Sequence, residues 1–213
     1  MTDLNIHWKI NRLDEGEEED PRLAECLLEI EGHIECGAST AGIVEALYLF
    51  AENPASAAAF VELWDSDSRC CDVFEEITEI RLHRMREPIP RFLDPASGIL
   101  CVHFIALRPA FRGIGIGREV MRHLVRSMAD PRVGLILLNA TPLQHMPHGY
   151  DDFDEEVRDL PWNSPEQDQE ILMRHFEKWG MQRLPGTRFM IADPLTLGDR
   201  RNLQWPPCPI LFQ

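Results

Sequence analysis

The chain has 213 residues, with 21 Lys and Arg against 36 Asp and Glu, for a formal net charge of −15. That length can bury a core without disulfides or metals, and so acidic a balance argues against general affinity for nucleic acid or anionic membrane. No apolar run reaches a membrane span; the best, Ala41 to Ala51, is interrupted by Glu45. Six cysteines without paired C-x-x-C spacing read as reduced, small hydrophobes. Met1-Thr-Asp-Leu-Asn5 shows no basic segment leading into an apolar core, so the expectation is a cytoplasmic protein.

In chain order, Ile6 to Ile10 alternates as a short strand, and the acidic run Asp14 to Asp20 reads as a solvated loop. Cys26 to Cys36 and Ile43 to Phe50 read as strands joined by the turn-prone Cys36-Gly-Ala-Ser-Thr40, although the second is short enough to admit a helix. From Ser56 to about Leu82 the spacing of Phe60, Leu63, Trp64, Val73, Phe74, Ile77 and Ile80 predicts helix between Pro54 and Pro88. Ile99 to Leu107 is a central strand, and Gly117 to Met128 an amphipathic helix with Val120, Met121, Leu124 and Val125 inward. Val133 to Leu138 suits a strand buried on both faces. After a long connection from Asn139 to Ser164, a helix runs from Pro165 to Trp179 with Gly180 as its stop, then a strand from Arg188 to Ala192. Prolines at 206, 207 and 209 leave the tail irregular.

The informative stretch is Cys101-Val-His-Phe-Ile-Ala-Leu-Arg-Pro-Ala-Phe-Arg-Gly-Ile-Gly-Ile-Gly117. A strand leads through glycines at alternate positions into a helix, an arrangement that turns backbone N–H groups toward an anion. A dinucleotide fingerprint fails, because its third glycine would fall on Arg118 or Val120 and the next strand ends at Asn139 rather than an acid. A Walker loop fails for want of Gly-Lys-Ser/Thr. The plain alternative is a glycine-rich turn that binds nothing, at some conformational cost.

The pattern resembles the acyl-CoA-binding motif of the GNAT superfamily of N-acetyltransferases, (Gln/Arg)-x-x-Gly-x-(Gly/Ala), filled here by Arg112, Gly115 and Gly117 after Leu107-Arg108-Pro109. The resemblance spans roughly residues 98–193. It implies an α/β (α+β) fold with a central mixed, mostly antiparallel sheet, splayed at a cofactor wedge and flanked by helices. It implies a single domain over 1–213, with a divergent half at 1–97 (inserted helical region about 56–82), a CoA-binding half at 98–193 and a tail at 194–213. Acetyl-CoA or another acyl-CoA would be the co-substrate. Its pyrophosphate would meet amides of Arg112, Gly113, Ile114, Gly115, Ile116 and Gly117, and its pantetheine the backbone near Ile105 and Leu107. An amine acceptor would attack the thioester directly, and a base would take its proton.

Arg174-His-Phe-Glu-Lys-Trp-Gly-Met181 resembles the family's Phe-Tyr-x-x-x-Gly segment, with Phe176 at the position of the usual general-acid tyrosine. For the base, His103 is the first candidate: on a regular strand it shares a face with Ile105 and Leu107. The alternative is a histidine packed on the sheet. Glu79, read at the end of the inserted helix, is the second. In the long connection, Asp151, Asp152 and Asp154 would attract a cationic acceptor if the loop is a lid, or simply be solvated. His145 and His148 suggest a metal, but Pro147 and the lack of a second pair point to none. The tail could pack on the body or on a second subunit in a homodimer. Two functions stay open: an N-acyltransferase for a small-molecule or peptide amine, and a CoA-binding sensor or interaction module without efficient transfer.

Overall fold

Alternation of inward and outward side chains makes the first segments strands. In β1 (Leu4–Arg12), Ile6 is buried while Asn5, His7 and Lys9 face solvent. It pairs antiparallel with β2 (Leu27–Cys36), which returns through a tight turn to β3 (Ser39–Phe50). The segment Ile43 to Phe50, whose period also admitted a helix, is therefore strand. The computed structural model describes residues 4–12, 27–50, 68–79, 84–93, 97–127, 133–146 and 160–197.

A helical reading of residues 56 to 82 holds only for α1 (Ser68–Ile77) among the described residues. The chain then turns directly into a small antiparallel pair, β4 (Thr78–Glu79) and β5 (Arg84–Met85). Glu79 is thus a strand residue, not the last turn of a helix; a β-branched threonine beside it and the ladder to Met85 and Arg84 decide its conformation.

Beyond this insertion come β6 (Gly98–Leu107), α2 (Ile116–Ser127), β7 (Val133–Asn139), α3 (Pro165–Glu177), β8 (Gln182–Arg183), β9 (Phe189–Ala192) and α4 (Pro194–Leu197). Among the described residues the main sheet has seven strands in the order β1-β2-β3-β6-β7-β9-β8. All its pairings are antiparallel except β6 with β7. It is a mixed, mostly antiparallel sheet flanked by helices.

Burial on both faces explains why β6 and β7 read as continuous apolar runs. One face, carrying Val44, Leu100, Val102, Ile136 and Met190, is covered by α2 through Val120, Met121 and Leu124 and by α3 through Met173 and Phe176. The other, carrying Leu47, Ile99, Leu135 and Phe189, is covered by Val73 and Ile77 of α1 and by Met85 and Ile89. Burying each large side chain fully contributes about 1.5–3 kcal/mol. The start of α3 is set locally by a capping box. Ser164 Oγ accepts from Gln167 N (3.3 Å), Gln167 Oε1 accepts from Ser164 N (3.4 Å), and Pro165 stands in the first turn. Cys36 and Cys101 are buried free thiols, and burial pushes the Cys36 thiol up. No helix among the described residues is long and apolar enough to cross a membrane.

Candidate active site

The site begins where two central strands part. The parallel ladder of β6 with β7 runs from Gly98 opposite Val133 to Val102 opposite Leu138 and stops there. From His103 to Leu107, β6 remains paired only with β3, while β7 continues along β9 as far as Asn139 opposite Phe189. Among the described residues, one edge of β6 is consequently left without a neighbouring strand from His103 to Leu107.

His103 itself is the extra residue of a β-bulge: Glu45 faces Phe104 and Ala46 faces Val102, so nothing on β3 faces His103. The bulge interrupts the regular alternation on which the expectation that His103 shares a face with Ile105 and Leu107 rests. Past it, Ile105 and Leu107 pack with the cluster of Leu100 and Val102. Phe104 and Ala106 turn to the other face, with Ile43, Leu143 and Met146. An extra residue reverses the phase of everything after it, because the side-chain period of a strand is two. His103 is 7% exposed at the point of parting.

Backbone direction beyond the bulge follows from one hydrogen bond. Arg108 N donates to Ala41 O at 2.9 Å, toward β3. Successive strand residues turn their N–H and C=O to opposite edges, so those of Ile105 and Leu107 face the opening. The Leu107 carbonyl there accepts from Arg112 Nε at 2.9 Å, tying the following loop to the strand end. Arg112 N donates to Pro109 O at 3.3 Å, closing a 3₁₀ turn at Pro109–Phe111. Arg112 thus shapes the loop, and the amides left to face outward begin at Gly113.

Gly113 and Gly115 adopt φ of +73° and +91°, values that L side chains rarely reach, and a Cβ on either would meet nothing within 4 Å. The loop is therefore bent over open space. It runs into α2, whose first amides, through Arg118, have no intrahelical acceptor. Their partial positive charge suits an anion. Exposed Ile114 lies between these glycines, whereas Ile116 is buried. At Gly117 a Cβ would sit 3.4 Å from the Trp179 ring and 3.7 Å from Leu107, ordinary contact distances that place the end of α3 against the start of α2. A cradle with open space, free helix-start amides and an unpaired strand edge leading from it fits a phosphate-bearing co-substrate with an extended amide arm.

Phe176 lies in the core, its ring 5.0 Å from Trp179 and 5.8 Å from His175. It has no proton to donate. Burial, and then Lys178, hold the neighbouring His175 imidazole below its ordinary range. Glu79 is engaged with Arg84, whose Nη2 lies 2.8 Å from Glu79 Oε2, on the small separate sheet. The structure does not bring Glu79 into the opening with His103. Asp151, Asp152 and Asp154, like His148, lie outside the described residues.

One buried acid was not apparent in the sequence. Asp168, in the first turn of α3, is 5% exposed and accepts from His145 Nε2 (2.9 Å), Gln144 Nε2 (3.2 Å), Asn163 N (3.1 Å) and Asn163 Nδ2 (2.6 Å). An acid in a helix's first turn ordinarily passes for dipole and solubility decoration, and its partner is 23 residues away. Among the described residues, no three His, Cys, Asp or Glu side chains gather as a metal site.

Residues 45–146 match the model of the acetyltransferase (GNAT) family. The match takes in the second half of β3, the insertion, β6, the glycine loop, α2 and β7, beginning upstream of the motif-bearing half and ending before α3. No curated protein and no solved structure matches the chain.

Proposed function

Since the chain carries a domain of the acetyltransferase (GNAT) family over residues 45–146, a family that transfers acyl groups from acetyl-CoA to amines, we propose that this protein is an N-acyltransferase. Its acceptor is a primary amine of a small molecule or peptide. The observation that carries this reading is the parting of β6 from β7 beside the open glycine loop. We read the whole chain as one domain built around that opening.

In this proposal the amides of Gly113 to Gly117 hold the pyrophosphate of acetyl-CoA, with Arg112 bracing the loop. The outward backbone of Ile105 and Leu107 aligns the pantetheine arm as an added strand would be aligned. The bound co-substrate supplies an activated thioester carbonyl. Fixed backbone donors at an opened strand edge then favour the charge that develops on its oxygen. No tyrosine hydroxyl is needed to complete departure of the sulfur, since a thiol with a pKa near about 8.5 leaves readily as thiolate. His103, the base that the sequence suggests, sits at the bulge. Glu79, ion-paired away from the opening, is not favoured. The acidic segment with Asp151, Asp152 and Asp154 supports a cationic acceptor.

One observation keeps a second reading: Phe176, buried in the core, replaces the proton donor found in many active relatives of this fold class. A protein of that kind would bind CoA as a sensor or interaction module. Thermal shift with acetyl-CoA, followed by thiol release across a panel of primary amines, separates the two. Stabilisation with amine-dependent release supports transfer. Stabilisation without release supports the binding module, and no stabilisation removes both. In the same panel, neutralising Asp151, Asp152 and Asp154 together should raise KM for cationic amines and leave neutral ones unaffected.

A further inference from the structure

His145 follows β7 in a short 3₁₀ turn, Leu143–His145. The residues on either side of it along this segment, Leu143 and Met146, pack on Phe104 and Ala106 of β6, on the face away from α2. The turn therefore crosses from the end of β7 to the part of β6 that β7 has left. Asp168, which holds His145, belongs to α3, whose other end packs Trp179 against Gly117 at the start of α2. From Asp168 to Glu177, two residues before Trp179, the helix spans about 14 Å at ~1.5 Å per residue. One helix thus links the glycine loop at one end to the His145 pair at the other.

The chemistry of the pair is specified by its hydrogen bonds. Asn163, followed by His145, holds the Asp168 carboxyl below the usual carboxylate range, so it is an acceptor at neutral pH. His145 Nε2 must then carry the proton it donates, and the neutral ring's lone pair is on Nδ1. Among the described residues nothing donates to Nδ1. Trp162 meets the imidazole edge-on at 5.5 Å between centroids and limits its rotation. The charged groups facing His145 are Asp168 and exposed Glu166, both anionic. Burying a carboxylate with four donors to tether a surface turn would be an expensive structural device; it is a usual way to set one tautomer of a histidine.

We propose that His145 is the general base of the transfer, with Asp168 as its positioning residue. The inference rests on the acyltransferase reading above. His145 Nδ1 takes the proton from the acceptor nitrogen. The nitrogen pair forms the bond to the acyl carbon as the carbon–sulfur bond breaks, and sulfur leaves with its electron pair as thiolate. His103 then serves the bulge and the opened edge rather than proton transfer.

The test uses the full chain with His145→Gln, Asp168→Asn, Asp168→Glu and His103→Ala. Long-range ¹⁵N–¹H spectra without co-substrate should show the Nε2–H tautomer of His145 in the parent, mixed tautomers in Asp168→Asn, and recovery of the parent form in Asp168→Glu. Thermal shift with acetyl-CoA should be unchanged in His145→Gln, Asp168→Asn and Asp168→Glu. Thiol release to a panel of simple primary amines, and to water, should fall about 10²–10⁴-fold in His145→Gln. That variant should also lose the acidic limb of the kcat/KM profile, which His103→Ala retains. An Nδ1–H tautomer in the parent overturns the proposal. So does a surviving acidic limb in His145→Gln, or its loss in His103→Ala. Binding without any thiol release in the parent overturns it too. Failure of the parent to bind acetyl-CoA would instead remove the acyltransferase reading, and this proposal with it.

Discussion

Replacing Gly115 by alanine separates a loop that binds from a loop that merely turns. Gly115 has φ +91°, with open space where a Cβ would be. No clash opposes the methyl group, so the cost to the fold is conformational, about 1–2 kcal/mol for an L residue held left-handed. For a chain of this size that lowers Tm by roughly 2–8 °C. If the backbone instead relaxes, its amide swings away from the anion. Losing one hydrogen bond to a charged group costs about 1.5–3 kcal/mol, or about 10- to 150-fold in Kd. Gly186 provides the control: it has φ +74°, also meets nothing within 4 Å, and lies in the turn between β8 and β9. Gly186→Ala should lower Tm similarly and leave affinity alone. Calorimetric titration with acetyl-CoA reads both variants. Unchanged affinity in Gly115→Ala, or an equal loss in Gly186→Ala, would refute the cradle.

Two further outcomes follow from the packing. Phe176→Ala should cost about 3–5 kcal/mol by urea denaturation, because the ring fills the cluster with Trp179; a loss below about 1 kcal/mol would mean that it does not. Trp8 Nε1–H donates to His123 Nδ1 at 3.2 Å, tying edge strand β1 to α2, and burial, then Arg126, lower the His123 pKa from 6.5. The unfolded chain binds this proton first, so the tie is fully present above pH 6.5 and is lost as pH falls through the lower folded value. Hydrogen exchange of β1 amides, corrected for intrinsic rates, should therefore speed up on acidification, and Trp8→Phe should remove that dependence. Equal protection at pH 7 and pH 5 in the parent chain would contradict it.

Much of the scaffold was legible because its signals are local. Alternation in β1 and β2, the apolar run of β6 and the helical spacing of α2 each act within a few residues. Within 56–82 the described residues are helix from Ser68 to Ile77 as expected, and only Thr78 and Glu79 depart from it, because their pairing with Met85 and Arg84 is not visible in apolar spacing. The bulge at His103 was not legible, because alternation assumes an unbroken ladder and a bulge is visible only once the partner strand is in register.

The sequence by itself determined the glycine loop and its strand–loop–helix setting, since absent Cβ atoms and helix-start amides are properties of neighbours along the chain. Only the tertiary structure decided where β6 leaves β7, how the bulge rephases Ile105 and Leu107, and that Asp168 holds His145. Those features arise from strand pairing and helix docking across 20 residues or more, where many sequences satisfy the same local pattern and long-range contacts choose among them.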